Sequence, residues 1–402
     1  MSGKPLRAAF FLCGCAAFLN LYATQGILRE LAAAFGVSAE RAGQGVSATT
    51  LAVAIIAPFV GALATPFARR TVIAGAAVAS ALPALWAAQA GGFASFLAAR
   101  FAVGVLMPFI FAISVSFIGE CFSREETAEV SALFVAGTTL GGFAGRFVTN
   151  ACVAALGWRH ALDVVAGLSL VVGLVIYAWL PGGIQTRSEA RIERQEAPSR
   201  LRLFMRPELL AAFGFGACVL ASQVATFTFV GLRLAQPPYG FGTAQIGSIY
   251  AVFLLAMVVT PLAGRIARYR APRELAMWAA CLAWVGALLT LAHGLVPILV
   301  GLALGSTAVF VEQAAANAFI SQTAGAARAT AIGLYLSFYY LGGSLGSVLP
   351  VPAWRQWGWS GCVAFVMGAQ LMAGGLAWWF WRENARRARP INTPKACLLD
   401  DV

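Results

Sequence analysis

The sequence predicts an all-α membrane protein with twelve transmembrane helices in two pseudo-symmetric six-helix bundles. Three observations predict this fold class: an apolar composition, twelve apolar segments of transmembrane length, and an internal repeat. Of the 402 residues, 60% are hydrophobic and 11% are charged, and the mean hydropathy is +0.79. Soluble domains carry about 25% charged residues. Most of this chain is therefore expected to face lipid or other apolar helices.

Twelve segments are long and apolar enough to cross a membrane. A helix needs about 20 mostly apolar residues to cross a hydrocarbon core of about 30 Å, and it satisfies its own backbone hydrogen bonds there. The six segments of the first half are 7–28, 45–64, 71–90, 93–119, 128–150 and 160–180. The six segments of the second half are 208–234, 244–264, 274–293, 296–320, 330–349 and 360–381.

The polar segments between these spans predict the domains and the orientation. We predict a first bundle at 1–180, a linker at 181–207, a second bundle at 208–382 and a tail at 383–402. The linker is either a short amphipathic helix on the anionic membrane surface or a solvated tether. Most of the 28 Lys and Arg residues fall on the side that carries both termini and the linker. The positive-inside rule therefore predicts that both termini are cytoplasmic.

An internal repeat relates the two halves. The segment LFVAGTTLGGFAG at 133–145 matches LYLSFYYLGGSLG at 334–346 at a constant offset of 201 residues. Gly157 and Trp158 recur at the same offset as Gly358 and Trp359. Transporter folds are commonly built from such repeats, so spans one to six are predicted to correspond to spans seven to twelve.

The loop after the second span carries the first motif. It reads GALATPFARR at 61–70, which resembles the GxLADRxGRR motif of the major facilitator superfamily at Gly61, Arg69 and Arg70. Thr65 and Pro66 replace the acid and the next arginine, and the second-half copy of the motif also lacks the acid. The resemblance implies that the cytoplasmic charge lock of the family is altered in this chain.

Two further motifs strengthen the resemblance. Arg100 and Gly104 on the fourth span resemble the arginine motif of proton-coupled members. The fifth span resembles the glycine-rich motif of drug:proton antiporters. Together with NLYATQ at 20–25, these segments resemble YnfM-like inner-membrane transporters over nearly the whole chain, which implies a bacterial inner-membrane location. The fifth-span residues concerned are Gly137, Gly141, Gly142, Gly145 and Arg146. The plainer interpretation of the glycines is close helix packing through small residues, which is compatible with transport.

Charged residues inside spans are costly, about 2.5–3.5 kcal/mol each on insertion scales, and so they indicate function. Glu312 is the only acid deep within a predicted span, and the repeat offset aligns it with Phe111. In the resembling family these helices line the central cavity, which makes Glu312 the first candidate for carrying a proton and Arg100 the second. The alternative is a carboxylate satisfied by Gln313 or by the backbone. We further expect Arg146 to pair with Asp163, which leaves Arg100 for the cavity or a gate.

Polar and aromatic residues on several spans are candidates for lining a substrate cavity. Each is about equally well explained as an ordinary interhelical hydrogen bond, which contributes about 0.6 kcal/mol on average. The candidates are Asn20, Tyr22, Thr24 and Gln25 on the first span, Ser222, Gln223 and Thr226 on the seventh, Gln313 and Asn317 on the tenth, and Tyr335 and Tyr339 on the eleventh.

These observations together predict a proton-coupled secondary transporter. By alternating access it would export a small organic molecule such as a drug, a metabolite or a siderophore, with that molecule, protons and the lipid bilayer as its partners. The alternative is an importer or uniporter of a small organic anion that Arg100 attracts. We expect the protein to act as a monomer.

Other classes of protein fit the sequence poorly. An enzyme would need a buried nucleophile with a base, or a metal motif such as HExxH, and the sequence shows neither. The eight cysteines form no CxxC pair, so we expect no metal site and no cofactor. The net charge of +12 forms no continuous basic face, which argues against nucleic-acid binding.

Overall fold

The computed structural model describes residues 3–64, 67–182, 203–266 and 269–381, and within these ranges every regular element is helical. The helices of the first half are α1 (Gly3–Leu19), α2 (Leu28–Phe35), α3 (Ala39–Ala42), α4 (Gln44–Ile56), α5 (Val60–Ala64), α6 (Arg69–Ala79), α7 (Ala81–Ala88), α8 (Phe93–Cys121) and α9 (Arg124–Trp179). Those of the second half are α10 (Pro207–Leu234), α11 (Thr243–Ile249), α12 (Ala256–Ile266), α13 (Pro272–Leu289), α14 (Leu295–Thr323), α15 (Arg328–Gly346), α16 (Val351–Trp357) and α17 (Trp359–Phe380).

Parts of the predicted linker and tail lie outside the described residues. The structure does not describe residues 183–202 of the linker, nor any residue from 382 onward, which includes the whole predicted tail. Thr65 and Pro66 of the loop motif are also outside the described residues.

The described helices supply twelve membrane crossings. Eight segments are long and apolar enough to span a membrane, and one of them, Glu129–Trp179, has 51 residues. At 1.5 Å per residue it measures about 77 Å, which is more than twice the hydrocarbon core. Gly157, with φ 75°, divides it into two crossings. The shorter apolar helices Pro5–Leu19 and Thr243–Val259, together with Pro272–Leu289, complete the set.

Four predicted spans are interrupted. One of them, 71–90, is divided at Ser80 into α6 and α7. The predicted span 7–28 ends as a helix at Leu19 and continues in turns to Gly26. The span 45–64 passes through a 3₁₀ turn at Ala57–Phe59, where Pro58 has no N–H to donate. The span 244–264 contains a 3₁₀ segment at Tyr250–Leu255.

The start of α9 also differs from the prediction. The helix begins at Arg124 rather than at residue 128. The Ser123 hydroxyl accepts from the Glu126 N–H, and the Glu126 carboxylate accepts from the Ser123 N–H, both at 3.4 Å. This capping box satisfies backbone donors that a helix start leaves unpaired, and so it extends the helix beyond the apolar run.

Glycines bring α1 and α9 into backbone contact. Gly137, Gly141 and Gly145 lie one helical turn apart on α9 and face α1. A Cβ atom added at any of them would collide with a main-chain carbonyl oxygen of α1. The carbonyls belong to Phe11, Cys15 and Leu19. This geometry is the close packing that the glycine spacing predicts.

The same packing recurs in the second half between α10 and α15. Added Cβ atoms at Gly342 and Gly346 would collide with the carbonyl oxygens of Ala217 and Ala221. Gly342 and Gly346 are the repeat partners of Gly141 and Gly145 at the offset of 201. The repeat therefore preserves the contact between helices as well as the sequence.

The two halves meet chiefly where α4 packs against α15 and where α9 packs against α11, with further contacts between α9 and α12. We call the side on which α9 ends at Trp179 and α10 begins at Pro207 the linker face. The other side, which carries α2, α3 and α16, is the opposite face. These two names locate the site described next.

Candidate functional site

A cavity with an empty volume of about 880 Å³ lies between the two halves. That volume includes space open to solvent, and clefts between the helices of a bundle are common sites for small molecules. Its lining from the first half is Phe18, Tyr22, Gln25, Phe111, Val135, Thr138, Thr139, Gly142 and Arg146. Its lining from the second half is Leu220, Gln223, Val224, Phe253, Phe310, Gln313, Leu336, Tyr339 and Tyr340.

Five of the predicted cavity residues line this central cavity. They are Tyr22, Gln25, Gln223, Gln313 and Tyr339. The sequence missed the aromatic walls Phe111, Phe253 and Phe310. The repeat could have indicated Phe111, because Phe111 aligns with Glu312, which lies on a helix predicted to line the cavity.

The other predicted cavity residues lie elsewhere. Asn20 donates from Nδ2 to the Ser169 hydroxyl at 2.6 Å, which is an interhelical bond within the first half. Thr24 and Tyr335 are buried away from the central cavity, and Asn317 is exposed. Ser222 and Thr226 line a different cavity, described below.

Arg146 points into the central cavity from α9. Its Nε donates to Gln25 Oε1 at 2.8 Å, and its Nη1 donates to the Gly142 carbonyl oxygen at 2.8 Å. Gly142 has no side chain to block the guanidinium, which runs back along the helix one turn toward it. The side chain is 5% exposed.

Three aromatic rings surround the same guanidinium. Its central carbon lies 4.4 Å from the ring centroid of Tyr22, 5.2 Å from that of Tyr250 and 4.8 Å from that of Phe253. The predicted pair of Arg146 with Asp163 is wrong, because the guanidinium contacts these rings and Gln25 and forms no ion pair with Asp163. Asp163 Oδ1 has no hydrogen-bond partner in the described part of the chain.

Arg100 binds main-chain oxygens and does not line the central cavity. Its Nη2 donates to the carbonyl oxygens of Asn20 at 2.9 Å and Leu21 at 2.8 Å. These carbonyls follow the last helical residue of α1, where main-chain acceptors lose their helical partners. Gly104, one turn further along α8, packs against the Thr49 carbonyl of α4. The expectation that Arg100 lines the cavity is therefore wrong, because it caps the end of α1, whereas its expected role at a gate stays a prediction.

Glu312 is fully buried within the second half. Its Oε2 accepts from Gln370 Nε2 at 3.4 Å, and its Oε1 has no hydrogen-bond partner among the described residues. Gln370 on α17 is therefore its neighbour, rather than the predicted Gln313, which faces the central cavity. Glu312 is the one acid among the described residues whose side chain is wholly buried, and it does not line the central cavity.

A second cavity lies inside the second half beside Gln370. Its empty volume is about 460 Å³, and α10, α13, α14 and α17 enclose it. Polar groups of Ser222, Thr226, Thr290 and Gln370 line it. Gln223 lines both cavities.

Hydrogen bonds join the two halves toward the opposite face. Gln25 Nε2 donates to Thr228 Oγ1 at 3.0 Å. The Ser47 hydroxyl donates to the Ser344 carbonyl at 2.8 Å and also contacts the Ser347 hydroxyl. These groups are buried, so together they form a sealed contact between the halves.

Charged and polar groups extend this contact to the protein surface. Arg355 Nε lies 2.7 Å from Glu40 Oε1, and the Thr243 hydroxyl donates to the Glu30 carboxylate. Among the ion pairs of the described residues, Glu40 with Arg355 alone joins the two halves.

The ion pairs at the linker face stay within one half. Arg69 pairs with Glu120 at 3.0 Å, and Arg70 donates from Nε to the Tyr177 carbonyl at 2.8 Å. Arg7 contacts Glu126 at 3.1 Å and Glu129 at 2.8 Å. The arginines of the loop motif thus bind α8 and α9 of their own half, and Gly61 lies exposed in α5.

This fold and site define a multi-pass membrane transporter with a central cavity between two helical bundles. The family model for the Major Facilitator Superfamily matches residues 10–347, and the chain belongs to that superfamily. It has the twelve-helix fold of the family and is a transporter rather than an enzyme, working by alternating access.

Relatives of similar length extend this result. The chain is 26% identical over 381 residues to the uncharacterized MFS-type transporter YybF of Bacillus subtilis, covering 92% of each chain. It is 26% identical over 359 residues to the inner membrane transport protein YnfM of Escherichia coli, covering 89% of this chain and 86% of that one. A crystal structure of the nucleoside transporter NupG matches with a TM-score of 0.74 at 12% identity, over 94% of this chain and 100% of that one. This last likeness shows the fold alone.

Proposed function

We propose that this chain is a proton-coupled secondary transporter that exports a small organic molecule. The observation that carries the proposal is Glu312, a wholly buried acid that lies beside the central cavity without lining it. Ionisable groups inside membrane spans mark proton and ion pathways, because their burial is costly unless it serves a function.

The surroundings of Glu312 suit a group that gains and loses a proton. One carboxyl oxygen accepts from Gln370, and the other, Oε1, has no hydrogen-bond partner among the described residues, so protonation there would break no hydrogen bond among them. Gln370 also lines the second cavity, together with Ser222, Thr226 and Thr290, and we take this cavity as the path by which a proton reaches the carboxyl group. Protons and cargo would thus use separate cavities.

The contacts between the halves support alternating access. The buried contacts of Gln25 with Thr228 and of Ser47 with Ser344 close the halves toward the opposite face. If both termini are cytoplasmic, as the distribution of Lys and Arg predicts, the face that these contacts close is the external one. Export then requires these contacts to break while contacts at the linker face form.

The alternative of an importer or uniporter for an organic anion depended on attraction by Arg100. That side chain binds main-chain oxygens and does not reach the cavity, so it does not favour import. The direction of flux under an imposed membrane potential separates the two readings.

The coupling proposal is tested in proteoliposomes with three probes that share an aromatic body and differ in charge. These are naphthalenesulfonate, its neutral sulfonamide and a naphthyl trimethylammonium salt. We expect an imposed pH gradient to drive at least one probe against its concentration gradient. Glu312→Gln should abolish that drive while sparing exchange of the same probe across the membrane.

The matched control is Glu126→Gln, which removes an exposed acid at the start of α9. It should keep the gradient-driven flux. Flux that is unchanged in Glu312→Gln removes this residue from the mechanism. A wild-type protein that moves no probe under the gradient contradicts proton coupling.

A further inference from the structure

We propose that the central cavity recognises an organic anion, with Arg146 binding the anionic group and the aromatic walls holding an apolar body. This inference rests on the proposed transport function, because it treats the central cavity as the cargo site. It concerns the chemical class of the cargo and is independent of the direction of transport and of the coupling ion.

The charge balance of the cavity carries the inference. Of the described residues that line the cavity, Arg146 alone carries a charge, and none is acidic. Arg146 also makes no ion pair with any described acid. A buried cation without a counter-charge is unfavourable, and a cargo anion would supply one.

The guanidinium keeps hydrogen-bonding capacity for such a ligand. Its Nε and Nη1 donate to Gln25 and Gly142. Its Nη2 donates no hydrogen bond to any described residue. A guanidinium that aromatic rings hold by their faces still presents its N–H edges, and these bind carboxylate and sulfonate groups well.

The elements packed around Arg146 supply neutral groups. Tyr22 and Gln25 come from the segment that follows α1, and Gly142 comes from α9 itself. Tyr250 and Phe253 come from the second half. A cationic cargo would meet Arg146 with no acid to offset the repulsion, and a neutral cargo would leave the charge unbalanced.

The remaining walls suit an apolar or aromatic body. Phe18 and Phe111 line the cavity from the first half, and Phe310, Tyr339 and Tyr340 line it from the second. Aromatic side chains bury large apolar areas and stack on ring systems. Because both halves supply walls, the bound anion lies where the halves must separate and rejoin.

The inference is tested by equilibrium binding to the full chain in nanodiscs, with no gradient present. The probes are benzoate, naphthoate and naphthalenesulfonate, each compared with its neutral amide by titration calorimetry. We expect at least one anion to bind about tenfold or more tightly than its amide, since a hydrogen bond to a charged group is stronger than a neutral one. Arg146→Gln should remove that preference, and Arg146→Lys should keep part of it.

The matched control is Arg41→Gln, which removes an exposed arginine at the opposite face. It should leave the preference unchanged. Equal binding of each anion and its amide by the wild-type chain overturns the inference, as does failure of every anion to bind or a preference that survives in Arg146→Gln. The wild-type comparison decides the matter even if the Arg146 variants fail to fold. Because no gradient is used, a failure of proton coupling leaves this result unaffected.

Discussion

In the first half α1 packs against α9 through Gly137, Gly141 and Gly145, and in the second half α10 packs against α15 through Gly342 and Gly346. The buried charges follow no such repeat. Arg100 and Arg146 are the wholly or nearly buried cations of the first half, and Glu312 is the buried acid of the second.

The repeat partners of the charged residues show how the halves diverged. The repeat partner of Arg146 is Ser347, which contacts Ser47 across the interface between the halves. The repeat partner of Glu312 is Phe111, which lines the central cavity. The same scaffold positions thus serve as cavity wall, inter-half contact or buried acid. Contact with the backbone of a neighbouring helix requires glycine at the same positions in both halves. The buried charges differ between the halves because their hydrogen-bonding partners differ.

The largest expected effect tests the shared packing. Gly141→Val and Gly342→Val should each destabilise the protein by about 3 kcal/mol or more, because the new side chain meets a carbonyl oxygen that cannot move without the helix. Thermal unfolding and gel filtration measure the loss. The controls are Gly167→Val and Gly333→Val, at positions where an added Cβ atom meets nothing within 4 Å. If Gly342→Val is tolerated and Gly141→Val is not, the two halves do not share this packing.

A smaller effect separates the two buried arginines of the first half. Arg100→Gln should lower stability by about 2 kcal/mol, because the carbonyls of Asn20 and Leu21 lose a charged donor. It should not change the preference for an anion over its amide, in contrast to Arg146→Gln. Thermal unfolding and calorimetric titration on the same samples measure both quantities. Loss of the anion preference in Arg100→Gln would place Arg100 in the recognition of cargo.

A change of several-fold in flux is expected at the acid of the second half. Gln370→Leu removes the one hydrogen bond that Glu312 accepts among the described residues. It should reduce flux driven by a pH gradient about threefold to tenfold, which is less than Glu312→Gln, because the carboxyl group remains. Gln356→Leu, at an exposed glutamine on α16, is the control. Unchanged flux in Gln370→Leu would show that protons reach Glu312 by another route.

The smallest effect is expected at the surface pair of Glu40 with Arg355. Arg355 is 61% exposed, and pairs of this kind contribute about 0.2–1 kcal/mol. Arg355→Gln should therefore shift the balance between the two states of the transporter only slightly, and added salt should erase the shift. Distances between spin labels at the opposite face measure that balance. A large shift that persists at high salt would show that this pair controls the opposite face.

The sequence predicted the architecture well because lipid restricts the chain so strongly. Apolar length alone placed the twelve crossings, and the glycine spacing indicated close contact of the fifth span with a neighbouring helix. The early end of α1 was harder to predict. The segment NLYATQ at 20–25 contains no proline or glycine, yet the helix ends at Leu19. Arg100, about 80 residues away, binds the carbonyls that follow.

The candidate site was predicted in part. Tyr22, Gln25, Gln223, Gln313 and Tyr339 line the cavity, but the cavity position expected for Arg100 and the pair of Arg146 with Asp163 were wrong. The reason is that a transmembrane helix that is apolar on all sides, such as α14, has no sequence pattern that tells one face from another. Glu312 and Gln313 are adjacent in sequence, yet they face the interior of the second half and the central cavity respectively.

By itself the sequence determined that this chain crosses the membrane twelve times in two related bundles, because hydrophobic length and repeated glycines are local properties. Only the tertiary structure decided what each buried charge does. A buried charge takes its role from the partners that packing brings within hydrogen-bonding distance, and those partners lie far away along the chain: Asn20 for Arg100, Gln25 for Arg146 and Gln370 for Glu312.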